Sequence, residues 1–103
     1  MPYIRCARRW KFQTEIDELK EVLKQESNST NIDGDLNFII TSLFEVAPEV
    51  CGEREGHWRY RIINRLVGVL ECCKLEFYRR IGALKEDDAI NRNGDLQVYE
   101  DPH

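Results

Sequence analysis

Between His57 and Ile81 the apolar side chains Ile62, Leu66, Val69, Cys73, Phe77 and Ile81 recur at helical spacing. They set one stripe along a single long helix, and Ile63, Val67 and Leu70 widen it past one face. At about 1.5 Å per residue a helix over 57–81 reaches about 37 Å. A compact chain of this length has a radius of gyration of only about 13 Å. The helix is therefore expected to cross the whole domain, and its excess apolar width calls for a partner. Gly82 is its natural stop. Gly68 in its interior costs about 1 kcal/mol against Ala. A close helix crossing gives that glycine a purpose; a merely tolerated glycine is the plainer alternative. Leu66, Gly68 and Leu70 are accordingly the expected oligomer interface.

Two shorter helical patterns precede it. Over 13–26, Phe12, Ile16, Leu19 and Leu23 form one stripe, with Thr14 as a cap. Ser27 to Asn31 reads as a polar loop. Over 35–47, Leu36, Ile39, Ile40, Leu43 and Phe44 follow the amphipathic spacing. Asp33 or Asp35 supplies the N-cap, and Pro48 ends the helix. The tail differs. Asn93-Gly94 signals a turn, and Leu96, Val98 and Tyr99 make one short strand. Its return strand comes from Ala89-Ile90 or from Pro2 to Ile4, and residues 96–103 are expected to fray. The expected fold is mainly α: a single domain over 1–103 with three helices, the third long, and a short irregular or β-hairpin-like tail.

Composition bounds the function. The chain has 103 residues, 42% apolar and 33% charged, as a soluble globular domain requires. Its net charge of -4 makes nucleic acid an unexpected partner. No apolar run approaches the roughly 18–20 residues of a membrane span. The start, with Arg8 and Arg9 but no apolar stretch behind them, does not read as a secretory signal. A cytoplasmic setting is the default expectation.

The charge is sorted along the chain. Residues 1–12 carry four basic and no acidic side chains, and residues 13–56 carry three basic and eleven acidic. Residues 57–81 carry six basic and two acidic, and residues 82–103 two basic and six acidic. One reading is complementarity within the molecule or between subunits. The other is an anion site at the start of the third helix, where backbone N–H groups attract negative charge. Arg59, Arg61 and Arg65 would hold the anion, Trp58 and Tyr60 would stack on a base, and Arg8 and Arg9 would join them. Arg79 and Arg80 are further candidates for that ligand site; the plainer reading is that they suit the negative end of the helix dipole, with Glu76 pairing Arg80 four residues on.

Established chemistries find little support. Cys6, Cys51, Cys72 and Cys73 contain no Cys-x-x-Cys, and with His57 they match no known zinc spacing. Reduced thiols are expected, with Cys73 as a small core hydrophobe. Asn31 to Asp35 and Asn91 to Asp95 begin like calcium loops, but Leu36 and Leu96 stand where the loop needs Gly. No phosphate-binding or nucleophile-elbow motif occurs. Glu71, flanked by Leu70 and Cys72, is the one carboxylate of interest, with Lys74 or His57 as its associate. An enzyme is the least expected class, and no cofactor or metal is expected.

Several stretches carry a resemblance. They are Met1 to Ile4, Gly34 to Thr41, and Ile63-Asn64 through Leu70-Glu71 to Lys74-Leu75-Glu76-Phe77-Tyr78-Arg79-Arg80. Glu86-Asp87, Ile90 and Asn93 to Asp95 close the set. In these the chain resembles a family of small uncharacterised phage and bacterial proteins, classed as a domain of unknown function. It has Leu84-Lys85 where that pattern has Pro-Tyr. The resemblance implies a phage or prokaryotic cytosolic origin and no known activity. It marks Asn37, Thr41, Asn64, Glu71, Lys74, Tyr78, Arg79 and Arg80. Asn is a poor helix former, so Asn37 and Asn64 are read as parts of a polar network or as ligand contacts. The expected function is a non-enzymatic homo-oligomer acting on a protein partner. The alternative is an oligomeric binder of a nucleotide or other phosphate-bearing ligand.

Overall fold

A computed structural model describes residues 4–96. The order is α1 (Cys6–Glu26), α2 (Ile32–Phe44), α3 (Ala47–Val50), α4 (Tyr60–Phe77), a π-helical turn (Tyr78–Gly82) and α5 (Ala83–Asn93). The fold is mainly α, with no strand among the described residues. The chain gathers into two units, residues 4–67 and residues 68–96, and α4 contributes to both.

In the first unit α1 begins at Cys6, not at Thr14, which lies inside the helix. The added turns are built from good helix formers: Ala7, Arg8, Arg9 and Lys11. The Arg8 guanidinium lies 5.5 Å over the Phe12 ring, one helical turn on. Gln13 donates to Asp17 at 2.9 Å in the next turn. The polar loop then closes on itself. Asn28 Oδ1 accepts the N–H groups of Thr30 and Asn31 at 2.8 and 3.1 Å, and Asn31 Oδ1 accepts the Asn28 N–H at 2.7 Å. These Asx contacts start α2 three residues earlier than Asp35, with Asn31 as its N-cap. Asp33 and Asp35 sit instead in the first turn, where the helix dipole favours them. The Ser27 hydroxyl donates to Asp35 at 2.5 Å and ties the end of α1 to the start of α2.

Pro48 does not end α2, which stops at Phe44; it opens the short α3 and is buried there. Proline suits a first helical turn because its missing N–H has no helical partner to lose. Its carbonyl accepts the Glu53 N–H at 2.8 Å, folding the chain back toward α4. Ile62 is 1% exposed and anchors the start of that helix.

The second unit departs most from expectation. Gly82 does not stop the long helix: its φ is -64°, and the chain passes through the π turn into α5. Ala89-Ile90 is therefore helical and supplies no return strand. The proposed strand residues Val98 and Tyr99, Pro2 and Tyr3, and all but Leu96 of the 96–103 tail expected to fray lie outside the described residues. Asn93-Gly94 marks a helix end, not a hairpin. Gly94 has φ 85° and ψ 154°, and its N–H reaches the Ile90 carbonyl at 2.7 Å. A left-handed glycine serves both motifs, so the dipeptide alone does not choose between them. That φ/ψ pair is essentially open to glycine only. Gly94→Ala is expected to cost about 1–3 kcal/mol and to fray the end of α5, read as reduced helicity and a lower urea midpoint.

Candidate functional site

The loop between α3 and α4 places Glu53 at the centre of a cationic group. Its side chain is 15% exposed. Arg59 donates to Glu53 Oε1, Arg61 lies 3.7 Å from the same oxygen, and His57 Nε2 lies 3.8 Å from Oε2. Arg65 donates to the Cys51 thiol at 3.5 Å. Three of the arginines singled out from sequence thus face this loop, two of them gathered by one carboxylate. Trp58 and Tyr60 flank them and are both exposed. Glu53 was the residue the sequence reading missed. Its signal was faint: one acid among eleven between residues 13 and 56, distinguished only by its place just before a run of arginines.

The second unit repeats the arrangement on a smaller scale. Arg79 binds Glu76 in two-point fashion, at 2.6 and 3.4 Å, and Arg80 reaches the same carboxylate at 2.7 Å. These are neighbours on successive helical turns. Lys74 reaches Glu71 at 3.4 Å, and both are exposed, so Glu71 is not the buried carboxylate that acid–base chemistry would favour. The Tyr78 hydroxyl donates across the π turn to Glu86. In the first unit Thr41 donates to Asn37 at 3.3 Å, while Asn64 lies exposed on α4. The marked polar residues therefore fall in separate local groups and do not converge on one network. Among the described residues no group of three His, Cys, Asp or Glu side chains is placed to hold a metal ion.

Apolar surface is the other feature. Leu36, Ile40, Leu43, Ile63, Val67, Leu70, Phe77 and Ile81 are all exposed, and Cys73, read as a core residue, is exposed as well. Among the described residues nothing lies within 4 Å of where a Gly68 Cβ would sit, so none of them makes the close crossing expected there. Between α1 and α2 lies an open groove of about 380 Å³. Leu19, Val22, Leu23, Phe38 and Ile39 line it, with Glu26 and Asp35 and no Lys or Arg. No helix among the described residues is long and apolar enough to cross a membrane.

These features define a small, mainly α chain with locally paired charges and open apolar faces. It matches the family described as a domain of unknown function (DUF6899) over residues 1–96, and it belongs to that family. No curated protein and no solved structure matches it.

The Tyr78 contact has a pH signature. The hydrogen bond to Glu86, then partial desolvation and the nearby charges of Glu86 and Asp87, raise the phenol above its usual 10.0. The neutral phenol is favoured in the folded state. Its contribution is complete below the unfolded value and is lost as pH rises through the folded one. A titration of phenolate absorbance is expected to place Tyr78 late, a step lost in Tyr78→Phe and moved back toward the ordinary range in Glu86→Gln. Gly82→Ala should act the same way, because its Cβ would sit 2.7 Å from the Tyr78 ring. A Tyr78 step unmoved in both Glu86→Gln and Gly82→Ala would contradict the contact.

Proposed function

We propose that this protein is a self-associating, non-enzymatic helical interaction module, whose oligomer presents a surface to a protein partner. One observation carries the reading. Ile63, Leu66, Leu70, Cys73 and Phe77 fall on α4 at alternating spacings of three and four, the seam of a helix pair. Of these only Leu66 is half-buried; the rest are open to water, Leu70 at 43%. A seam of that regularity left uncovered is a standing cost, which pairing with a second copy removes. Leu66 and Leu70 form its centre; Gly68 lies on the opposite side of α4 and joins the interface only if the copies also cross closely there. The resemblance in the stretches around Asn37 and Tyr78 supports a phage or prokaryotic cytosolic setting. The alternative, a nucleotide or phosphate binder, draws on the same arginines, but Glu53 and Glu76 already partner four of them.

Sedimentation velocity across micromolar concentrations tests the proposal. The wild type should be a dimer or larger. Leu66→Asp and Leu70→Asp should each weaken association by about 2 kcal/mol or more, as buried charges at an interface centre do. Gly68→Ala separates two cases. In an isolated helix it stabilises by up to about 1 kcal/mol; at a close crossing it weakens the oligomer. A wild type that stays monomeric at high micromolar concentration would overturn the reading.

A further inference from the structure

α1 carries a seam of its own, apart from that of α4. Arg5 at its N-cap, then Arg8, Phe12, Ile16, Leu19, Leu23 and Glu26, follow one another at spacings of three and four and so share one face. The middle of that face is apolar, one end is basic and the other acidic. Phe12 and Ile16 are exposed, and the Arg8 guanidinium lies over the Phe12 ring on the same side of the helix. Leu19, Leu23 and Glu26 line the open groove against α2, whose other charged residue, Asp35, is also an acid. Neither Arg5 nor Arg8 belongs to the arginines that Glu53 and Glu76 hold.

The charge order of α1 runs against its own dipole. Residues 4–12 carry four basic and no acidic side chains, and residues 13–26 carry five acidic and two basic. Arg5, Arg8 and Arg9 thus crowd the positive end, whose first turn has no acid, and Glu26 closes the negative end. Lys24, the basic residue of the last turn, is tied to Glu21 at 3.0 Å. Within one helix that order is a cost. In an antiparallel pair it becomes favourable, because each acidic end lies beside the basic end of the other copy and the two dipoles oppose. The positions match. A two-fold axis between residues 15 and 16 sets Arg5 level with Glu26 of the second copy, Arg8 with Leu23 and Phe12 with Leu19, and brings the two Ile16 side chains together. The paired stretch is about 30 Å long. Parallel pairing would set like ends side by side. We propose that α1 packs antiparallel on α1 of a second copy about Ile16, so that the basic end of each, Arg5 to Phe12, lies along the acidic α1–α2 groove of the other. The contact is isologous, the same surface on both copies, and it stands independently of the α4 seam.

The charge order supplies the test, run on the full-length chain carrying Leu70→Asp so that the α4 seam does not contribute. Sedimentation velocity at high micromolar concentration should find this chain dimeric. Arg5→Glu and Glu26→Arg should each raise its Kd at least fivefold. The two together in one chain should restore the Kd to within twofold of the parent, since each end again meets its opposite. Both substitutions suit the dipole of a single α1, so a role confined to one chain predicts equal or higher helicity by circular dichroism and no change in Kd. If Arg5→Glu lowers helicity, Arg8→Glu takes its place, with the same weakening and the same rescue expected. A Leu70→Asp chain that stays monomeric overturns this inference and leaves the α4 seam to its own test. So does a dimer indifferent to the charge variants, or one that the double exchange fails to restore. A dimer that Leu70→Asp leaves untouched and the single charge variants split supports the α1 contact against the α4 seam.

Discussion

Burial of apolar side chains offsets the entropy lost when a chain orders, and this chain has few places to achieve it. Ile62 and Pro48 are the fully buried side chains among those described. Elsewhere helices form because their local chemistry is favourable: Arg8 over Phe12, the Asx loop before α2, the Ser27–Asp35 tie and the glycine at the end of α5. Local order of this kind makes helices without making a deep core. Everything else about the molecule follows from apolar stripes that are regular in sequence and open in the folded chain.

Electrostatics follows the opposite rule. Glu53 gathers Arg59, Arg61 and His57, and Glu76 gathers Arg79 and Arg80. These pairs lie near the surface, where each contributes little to stability. Their effect is positional: they fix where positive charge points and leave less of it for an anion. The acids of α1 and α2 are spread differently, with Glu26 and Asp35 beside apolar side chains in the groove. The separation of charge visible along the chain thus becomes a separation between surfaces.

The helices were legible because their apolar spacing is strong, and α2 and α4 appear near where that spacing puts them. Their ends were less so. Thr14 and Asp35 are good caps in isolation, but the Arg–Phe stack and the Asn28–Asn31 pair start the helices elsewhere. Gly82 and Asn93-Gly94 were misread for one reason: glycine marks stops, turns and close approaches alike. Only the Tyr78 ring, 2.7 Å from where a side chain at Gly82 would begin, shows which is meant. The arginines could be picked out by residue type, whereas Glu53 needed the fold of the α3–α4 loop. Partnership across a loop leaves no periodic trace.

The π turn has a consequence for how this chain can vary. A π turn holds one residue more than an α-helical turn in the same rise. Removing one residue between Tyr78 and Gly82 would therefore return the segment to an ordinary α-helical turn, with Leu84, Glu86 and Ile90 facing much as before. Elsewhere in a helix each residue advances the chain about 100° around the axis, so a deletion there turns every side chain beyond it. The π turn is thus the place in this segment where a change of length by one residue leaves the faces of α5 in register.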